Sequence, residues 1–320
     1  MGGYTVITTM KNEGAFLLEW VAHHKALGFD HLVICTNDCE DVTARMVLRL
    51  QEIGLARHHA TTHWAATSIQ RSALKQAQRY GEVRGADWLY VCDADEFLVV
   101  KVGDGSARAL VAAASPQAEV ISVAWRVFGP DGRRDFVDAP VSEQFCKGAA
   151  QDLRQGIYAK SLFRGLENMH RIGIHGPVPR PDLGRGLCRE MPGGIGLGPQ
   201  INAMLSLRDY RVAQVNHYAL RSHDSFLVKR DRGRVNHTGQ SMDTEYWDRF
   251  DIAEEPCAAI RRYDLAVATW RRRLLEDAVL EGLHERAVTW HSAKIADLKT
   301  RADYAPLLAE LEERLTRCAP

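Results

Sequence analysis

The stretch Trp88-Leu89-Tyr90-Val91-Cys92-Asp93-Ala94-Asp95-Glu96-Phe97-Leu98 decides the fold. A run of buried-strand type feeds straight into Asp93, Asp95 and Glu96. Strands covered on both faces read as such apolar runs, and open α/β sheets place ligands outside the carboxyl ends of their strands. Asp-x-Asp at that end puts two carboxylates on one short turn, close enough to share a divalent cation. Hard oxygen donors suit Mg²⁺ or Mn²⁺, which commonly bind through one or two carboxylates plus substrate phosphates. The stretch therefore reads as a strand delivering a site for a metal-bridged diphosphate. The plain alternative is a solvated acidic turn, because Asp-x-Asp is a short motif.

Upstream, the chain repeats strand and helix. Residues 4–9 read as a strand, followed by Asn12 as helix cap and Glu13 in the first turn, where a carboxylate suits the helix dipole. Leu17, Trp20, Val21, His24 and Leu27 recur at helical spacing, and Gly28 stops the helix. A strand over 31–35 ends in Asn37-Asp38, and Asp41 caps a helix running to Ile53. A strand over 55–60 and a helix over 67–80 complete the approach. This alternation predicts an α/β fold with a mostly parallel sheet flanked by helices. Right-handed crossovers gather the polar strand ends on one edge, so Asn12-Glu13, Asn37-Asp38 and Asp93-Ala94-Asp95 open onto one crevice.

Downstream, a short helix near 104–114 precedes a strand over 119–125. Trp125 and Phe128, beside Gly129 and Gly132, could floor a sugar site or simply pack the sheet edge. A strand is expected over 157–164, and the Gly- and Pro-rich residues 172–200 read as a loop over the site. A last strand, 211–219, ends in His217-Tyr218. The next segment is helix-like, with Ser222 or Asp224 as cap and a basic tail in which Lys229 or Arg232 could neutralise a leaving diphosphate. From 245 onward the chain is helical and charged. We expect a catalytic domain over 1–240 and a helical extension over 241–320, packed on it or used for association. Its mixed charge favours packing over a lipid face.

Composition narrows the function classes. The 320 residues have zero formal net charge, which gives no footprint for a nucleic-acid partner. No Gly-x-Gly-x-x-Gly follows the first strand and no Gly-Lys-Ser/Thr occurs, which disfavours dinucleotide cofactors and P-loop chemistry. Seven cysteines without a Cys-x-x-Cys pair suit reduced thiols, and Cys35 with Cys39 lacks the partners of a zinc set. No apolar run is long enough to span a membrane. The N-terminus has neither the build of a signal peptide nor, with Val6, the Ser/Thr of a myristoylation motif. The expected place is the cytoplasm, with a peripheral position at the inner membrane face as the alternative. The sequon at Asn236 carries no weight without a secretion signal.

Several motifs together resemble the family 2-like glycosyltransferases, and most of all the branch grouped with family 92. They are Lys11-Asn12-Glu13, Gly28-Phe29-Asp30-His31, Asn37 with Asp41-Val42-Thr43, and Asp93-Ala94-Asp95-Glu96-Phe97. Trp125 with Phe128-Gly129, His217-Tyr218, Lys229 with Arg232-Gly233, and His284, His291 and Lys294-Ile295 extend the likeness over nearly the whole chain. The resemblance implies a GT-A fold and sugar transfer from a nucleotide donor, usually a UDP-sugar, with Mn²⁺ or Mg²⁺. It implies Asp93 and Asp95 at the ribose and metal, His217 as a late metal ligand, and Glu13 and Asn37 at the base and ribose. Thr36-Asn37 stands where family 2 has paired Asp.

The acceptor is expected to be a saccharide, a glycan or a lipid-linked saccharide. The family likeness implies inversion and an Asp or Glu base. Glu143 ranks first, ahead of Asp182 and Glu190, with His175 as a further candidate beside the sugar site. Two other readings use the same residues: a metal-dependent phosphoester hydrolase or nucleotidyltransferase, and a non-catalytic carbohydrate-binding protein.

Overall fold

The structure, a computed structural model, describes residues 3–65, 67–184, 186–198, 202, 204–233 and 242–317. Asn236 and its sequon, and Gly2, lie outside the described residues. Eleven strands form one sheet. In chain order they are β1 (Tyr4–Met10), β2 (His31–Thr36), β3 (Arg57–Ala60), β4 (Trp88–Val91), β5 (Glu96–Val100) and β6 (Val120–Val127). Then come β7 (Asp152–Arg164), β8 (Arg189–Met191), β9 (Ile195–Gly196), β10 (Leu205–Arg208) and β11 (Ala213–His217). The continuous path is β9-β8-β6-β7-β4-β1-β2-β3, with β10 on β7 and β11 between β5 and β6. β3, β2, β1 and β4 pair in parallel, and β6, β8 and β11 pair in parallel as well. β5, β7 and β9 run against the rest.

Period-two alternation writes both cores into the central strands. Val6, Leu32, Ile34, Trp88, Tyr90 and Cys92 face one core, while Ile7, Val33, Cys35, Leu89 and Val91 face the other. The longer helices are α1 (Gly14–Ala26), α2 (Thr43–Glu52), α3 (Ile69–Ala77), α4 (Ala107–Ala112), α5 (His223–Asp231), α6 (Thr244–Phe250), α7 (Asp264–Leu275), α8 (Ala278–Thr300) and α9 (Ala305–Arg317). The first core is covered by α1, α2 and the C-terminal helices, and the second by α3 through Ala73, Leu74 and Ala77.

Local signals explain several of the starts. Ser68, Ser106, Ser222 and Asp277 each accept a hydrogen bond from a first-turn N–H of α3, α4, α5 and α8. Gly28, at φ +80°, ends the α1 segment as expected. Asn12 does not cap α1. Its backbone is left-handed at φ +54°, and its Oδ1 accepts from the Glu40 N–H at 2.8 Å. Asp41 does that work from the next loop, accepting from the Gly14 N–H at 3.0 Å and from the Thr43 N–H at 2.9 Å. One aspartate thus ties together the starts of α1 and α2.

A strand end is expected at Asp93-Ala94-Asp95, with no strand resuming after it. The chain instead turns there and re-enters the sheet as β5, because Phe97, Leu98, Val99 and Val100 are a second buried run. Residues 172–200 also differ from a bare loop, since β8 and β9 extend the sheet within them.

The C-terminal helices are built onto the sheet. Leu280, Leu283, Ala287, Ile295 and Leu298 of α8 belong to the first core. A Cβ on Gly14 would stand 2.8 Å from the Ala287 Cβ, so only glycine allows α1 and α8 to approach this closely. The expected boundary at 240/241 falls outside the described residues, and α6, just beyond it, forms part of the cleft wall.

Candidate functional site: a cleft at the strand ends

A cleft of about 1010 Å³ opens where β1, β4 and β11 end. Glu13, Asp93 and Asp95 line it, with Trp125, His175, His217, Lys229 and Arg232. The turn after β4 supplies Asp93 and Asp95, and two contacts fix its backbone. Trp20 of α1 donates its indole N–H to the Asp93 carbonyl at 3.2 Å, and the Tyr218 N–H donates to the Asp95 carbonyl at 2.9 Å.

Sheet register brings His217 to Asp95. In the antiparallel β5–β11 ladder His217 stands opposite Glu96. The imidazole Nε2 then lies 3.7 Å from Asp95 Oδ1. Burial holds the His217 pKa down to about 4, against the pull of Asp95, so the ring is neutral at pH 7. Lys229 of α5 donates to Asp95 Oδ2 at 2.5 Å and to the Ala219 carbonyl at 2.6 Å. Burial alone would raise the Asp95 carboxyl. Lys229, then His217 and Arg221, hold it well below the usual carboxylate range instead.

Asp93 is held from the sheet. Lys160 of β7, with no exposed surface, donates to Asp93 Oδ2 at 3.0 Å and to the Ile174 carbonyl at 3.2 Å. Gln70 of α3 donates to Asp93 Oδ1 at 2.7 Å. Lys160 also lies 3.3 Å from the fully buried Glu96. Burial opposes the charge on Lys160, but Asp93 and Glu96 outweigh it and raise its pKa. Burial raises Glu96 despite Lys160, and its Oε1 finds no partner among the described residues.

Glu13, at the start of α1, meets two guanidinium groups. Arg221 donates to its Oε2 at 2.9 Å, and Arg232 pairs with its Oε1. Burial favours the neutral acid, but Arg221 and Arg232 overcome it and lower the pKa. Arg221 has φ +57° and also donates to the Ala94 carbonyl at 3.3 Å, linking Glu13 to the Asp-x-Asp turn.

Beside the carboxylates lies an aromatic floor. Trp125 centres it, with ring centroids 4.2 Å from His217, 5.4 Å from Tyr158 and 5.5 Å from His175. His175 Nδ1 lies 3.0 Å from the Ala159 carbonyl, which accepts its N–H and leaves Nε2 as the ring's acceptor. Burial, then Lys160, keep His175 neutral by lowering its pKa to about 4.

The structure thus brings together Glu13, Asp93, Asp95, Trp125, His175, His217, Lys229 and Arg232. It leaves out five other candidates. Asn37 is buried at the end of β2 and does not line the cleft. Phe128 is a core side chain against Tyr218 at 5.1 Å and the Gly148 backbone. Glu143 is exposed on a short helix and borders a separate pocket of about 40 Å³ with Glu19 and His23. Asp182 is an exposed partner of Arg180. Glu190 is buried and accepts from the Ser115 N–H and hydroxyl, which tie down the chain before β6. Sequence reasoning missed Lys160, Arg221 and Gln70. Lys160 had one signal, a lone cation within the apolar strand Ile157–Phe163.

A divalent cation fits part of this set. Asp95 Oδ1 and neutral His217 Nε2 make a donor pair of the kind that diphosphate oxygens and water complete. Asp93 already accepts one hydrogen bond on each oxygen, from Lys160 and Gln70, which leaves it fewer lone pairs for a cation than Asp95 Oδ1 has. Among the described residues no three His, Cys, Asp or Glu side chains cluster to hold a metal by themselves.

No family model matches the chain. A glycosyltransferase family 92 protein of Ricinus communis is 28% identical over 136 residues, 39% of this chain and 23% of that protein. The chain thus spans about a quarter of that curated relative's length. Among solved structures, Staphylococcus aureus TarS residues 1–349 in complex with UDP is similar with TM-score 0.33 and 13% identity, over 52% of this chain and 47% of that chain. The mannosyltransferase PcManGT of Pyrobaculum calidifontis, in complex with GDP-Man and Mn²⁺, gives TM-score 0.33 and 12% identity, over 98% and 85%.

Proposed function

We propose that this protein is a glycosyltransferase that moves a sugar from a nucleoside-diphosphate sugar, a UDP-sugar by its sequence resemblance, to a saccharide acceptor. The observation that carries the reading is the meeting of Asp95, His217 and Lys229 at the strand ends, beside the Trp125 floor. The family 92 relative points the same way.

Each part has a task. Lys229 and Arg232 stand ready to neutralise the departing diphosphate, and both are already charged through Asp95 and Glu13. Asp95 and His217 would hold a Mn²⁺ or Mg²⁺ ion, which supplies further charge stabilisation on the leaving phosphate oxygens. Trp125 and Tyr158 offer ring faces for a sugar. His175 Nε2 takes the proton of the acceptor hydroxyl. Among the described residues the carboxylates lining the cleft are all ion-paired, and with His217 turned to Asp95 the His175 imidazole is left as an open base. Attack from the face opposite the diphosphate gives inversion in one displacement. The aromatic floor favours transfer over plain phosphoester hydrolysis, which needs no surface for a sugar acceptor.

The test is incubation with a panel of UDP- and GDP-sugars, with and without Mn²⁺ and a mixture of oligosaccharides. A product heavier by one glycosyl residue supports the reading. Release of phosphate from simple esters without such a product would replace it with hydrolysis.

A further inference from the structure

The cations of the cleft fall into two groups. Lys229 and Arg232 are ion-paired with Asp95 and Glu13. Lys11, Arg71, Arg171, Arg208 and Arg249 also line the cleft, yet none of them forms an ion pair with a carboxylate among the described residues. The Arg208 Nε is buried and has no hydrogen-bond partner there. A buried guanidinium N–H without an acceptor is costly, and an anionic ligand would satisfy it.

Arg171, Arg208 and Arg249 border the aromatic floor. Arg208 ends β10, whose Leu205 pairs with Tyr158 of β7. Arg249 precedes Phe250 on α6, and the Phe250 ring lies edge-on to His217 at 5.3 Å. Arg171 ends the short strand Met169–Arg171, just ahead of the segment that carries His175. Three of these five unpaired cations therefore stand where the acceptor would lie, on segments other than the α5 helix that supplies Lys229, while Lys11 lies beside Arg232 and Arg71 follows Gln70 at the carboxylate end. Guanidinium groups bind carboxylates and phosphates through paired N–H bonds, so such a rim selects for anions.

We infer that the acceptor is an anionic saccharide, carrying a carboxylate or a phosphate ester that Arg208, Arg249 and Arg171 receive. This rests on the glycosyltransferase reading. It adds that a neutral glycan of the same shape is a poorer partner.

Calorimetric titration of the UDP-saturated protein tests it with paired probes. One pair is tri-galacturonic acid and its methyl ester. The other is glucose 6-phosphate and glucose. The expected result is that the charged member of at least one pair binds about tenfold more tightly or better. In R208Q/R249Q that preference disappears, while UDP still binds and shows the variant to be folded. Equal binding of charged and neutral probes, or binding of neither, by protein that still binds UDP would overturn the inference. So would a preference that survives R208Q/R249Q. A third arm compares UDP-glucuronate with UDP-glucose. A preference for UDP-glucuronate lost in R208Q/R249Q would move the charge to the donor sugar and overturn the acceptor assignment. Failure to bind any nucleoside diphosphate would instead remove the transferase reading, a separate outcome.

Discussion

His217 stands directly across the antiparallel β5–β11 ladder from Glu96, and that register sets its Nε2 3.7 Å from Asp95 Oδ1. A slip of one residue would turn His217 to the other face of the sheet. The donor pair is thus a product of strand pairing, held on rigid elements rather than on a loop.

Asp95→Asn and His217→Ala separate charge from coordination. Asp95→Asn leaves Lys229 without its counterion and removes a negative oxygen donor. UDP binding should then lose its dependence on Mn²⁺. His217→Ala should weaken the Mn²⁺ dependence while UDP alone binds as in the wild type. Mn²⁺ titrations followed by calorimetry read both, and unchanged metal dependence in His217→Ala would return that ring to a packing role.

Lys160→Met tests the buried ion cluster. Breaking one side of a buried pair leaves an uncompensated charge, so about 3–5 kcal/mol of stability should go. Lys160→Met with Asp93→Asn should recover part of it. Urea unfolding gives both values. A loss below about 1 kcal/mol, the scale of an exposed pair, would contradict the burial argument.

Acid should weaken the fold before carboxylates titrate. His23 is buried under β5, with Nε2 bonded to the Leu98 carbonyl at 2.8 Å, and burial holds its pKa down to about 4. The unfolded chain takes up that proton near pH 6.5, so it binds more protons than the fold between pH 6.5 and 4. Stability is full above pH 6.5 and falls as pH drops through this window, by on the order of 3 kcal/mol for this one group. His175, His217 and His291, also held near 4, add in the same direction. Denaturant midpoints at pH 7.5, 6 and 5 should decline steadily, and His23→Leu should flatten the decline.

Glu143→Gln and His175→Ala distinguish the two candidate bases. Glu143 lies outside the cleft, so its variant should turn over donor and acceptor at the wild-type rate. His175→Ala should lower kcat by roughly 10²–10⁴ and leave UDP affinity near wild type. The reverse pattern would restore Glu143.

Much of this was legible in the sequence because period-two runs and short links leave few sheet orders. Asp93, Asp95 and His217 were legible as strand-end residues, and Lys229 and Arg232 as a basic tail near them. What was hidden came from distant pairing. Lys160 lies 67 residues from Asp93, and nothing local shows that β7 runs antiparallel beside β4. Arg221 reaches Glu13 across 208 residues through a left-handed backbone that its neighbours do not advertise. Glu143 and Glu190 lie outside the cleft for a related reason. A carboxylate in the right part of the chain reveals nothing about which side of the sheet it serves, and Glu190 is spent on the Ser115 backbone. Asn12 looked like a helix cap because the cap that Asp41 provides arrives from the next strand end.

The most direct measurement is a thermal-shift titration of the wild-type protein and Asp95→Asn with UDP, GDP and CDP, each with and without Mn²⁺. A ligand that binds the native state at a hundredfold excess over its dissociation constant adds about 2.7 kcal/mol of stability. A clear rise is expected in the wild type with UDP and Mn²⁺ together, a smaller one with UDP alone, and no effect of Mn²⁺ in Asp95→Asn. No shift with any nucleoside diphosphate, with or without the metal, would contradict that expectation.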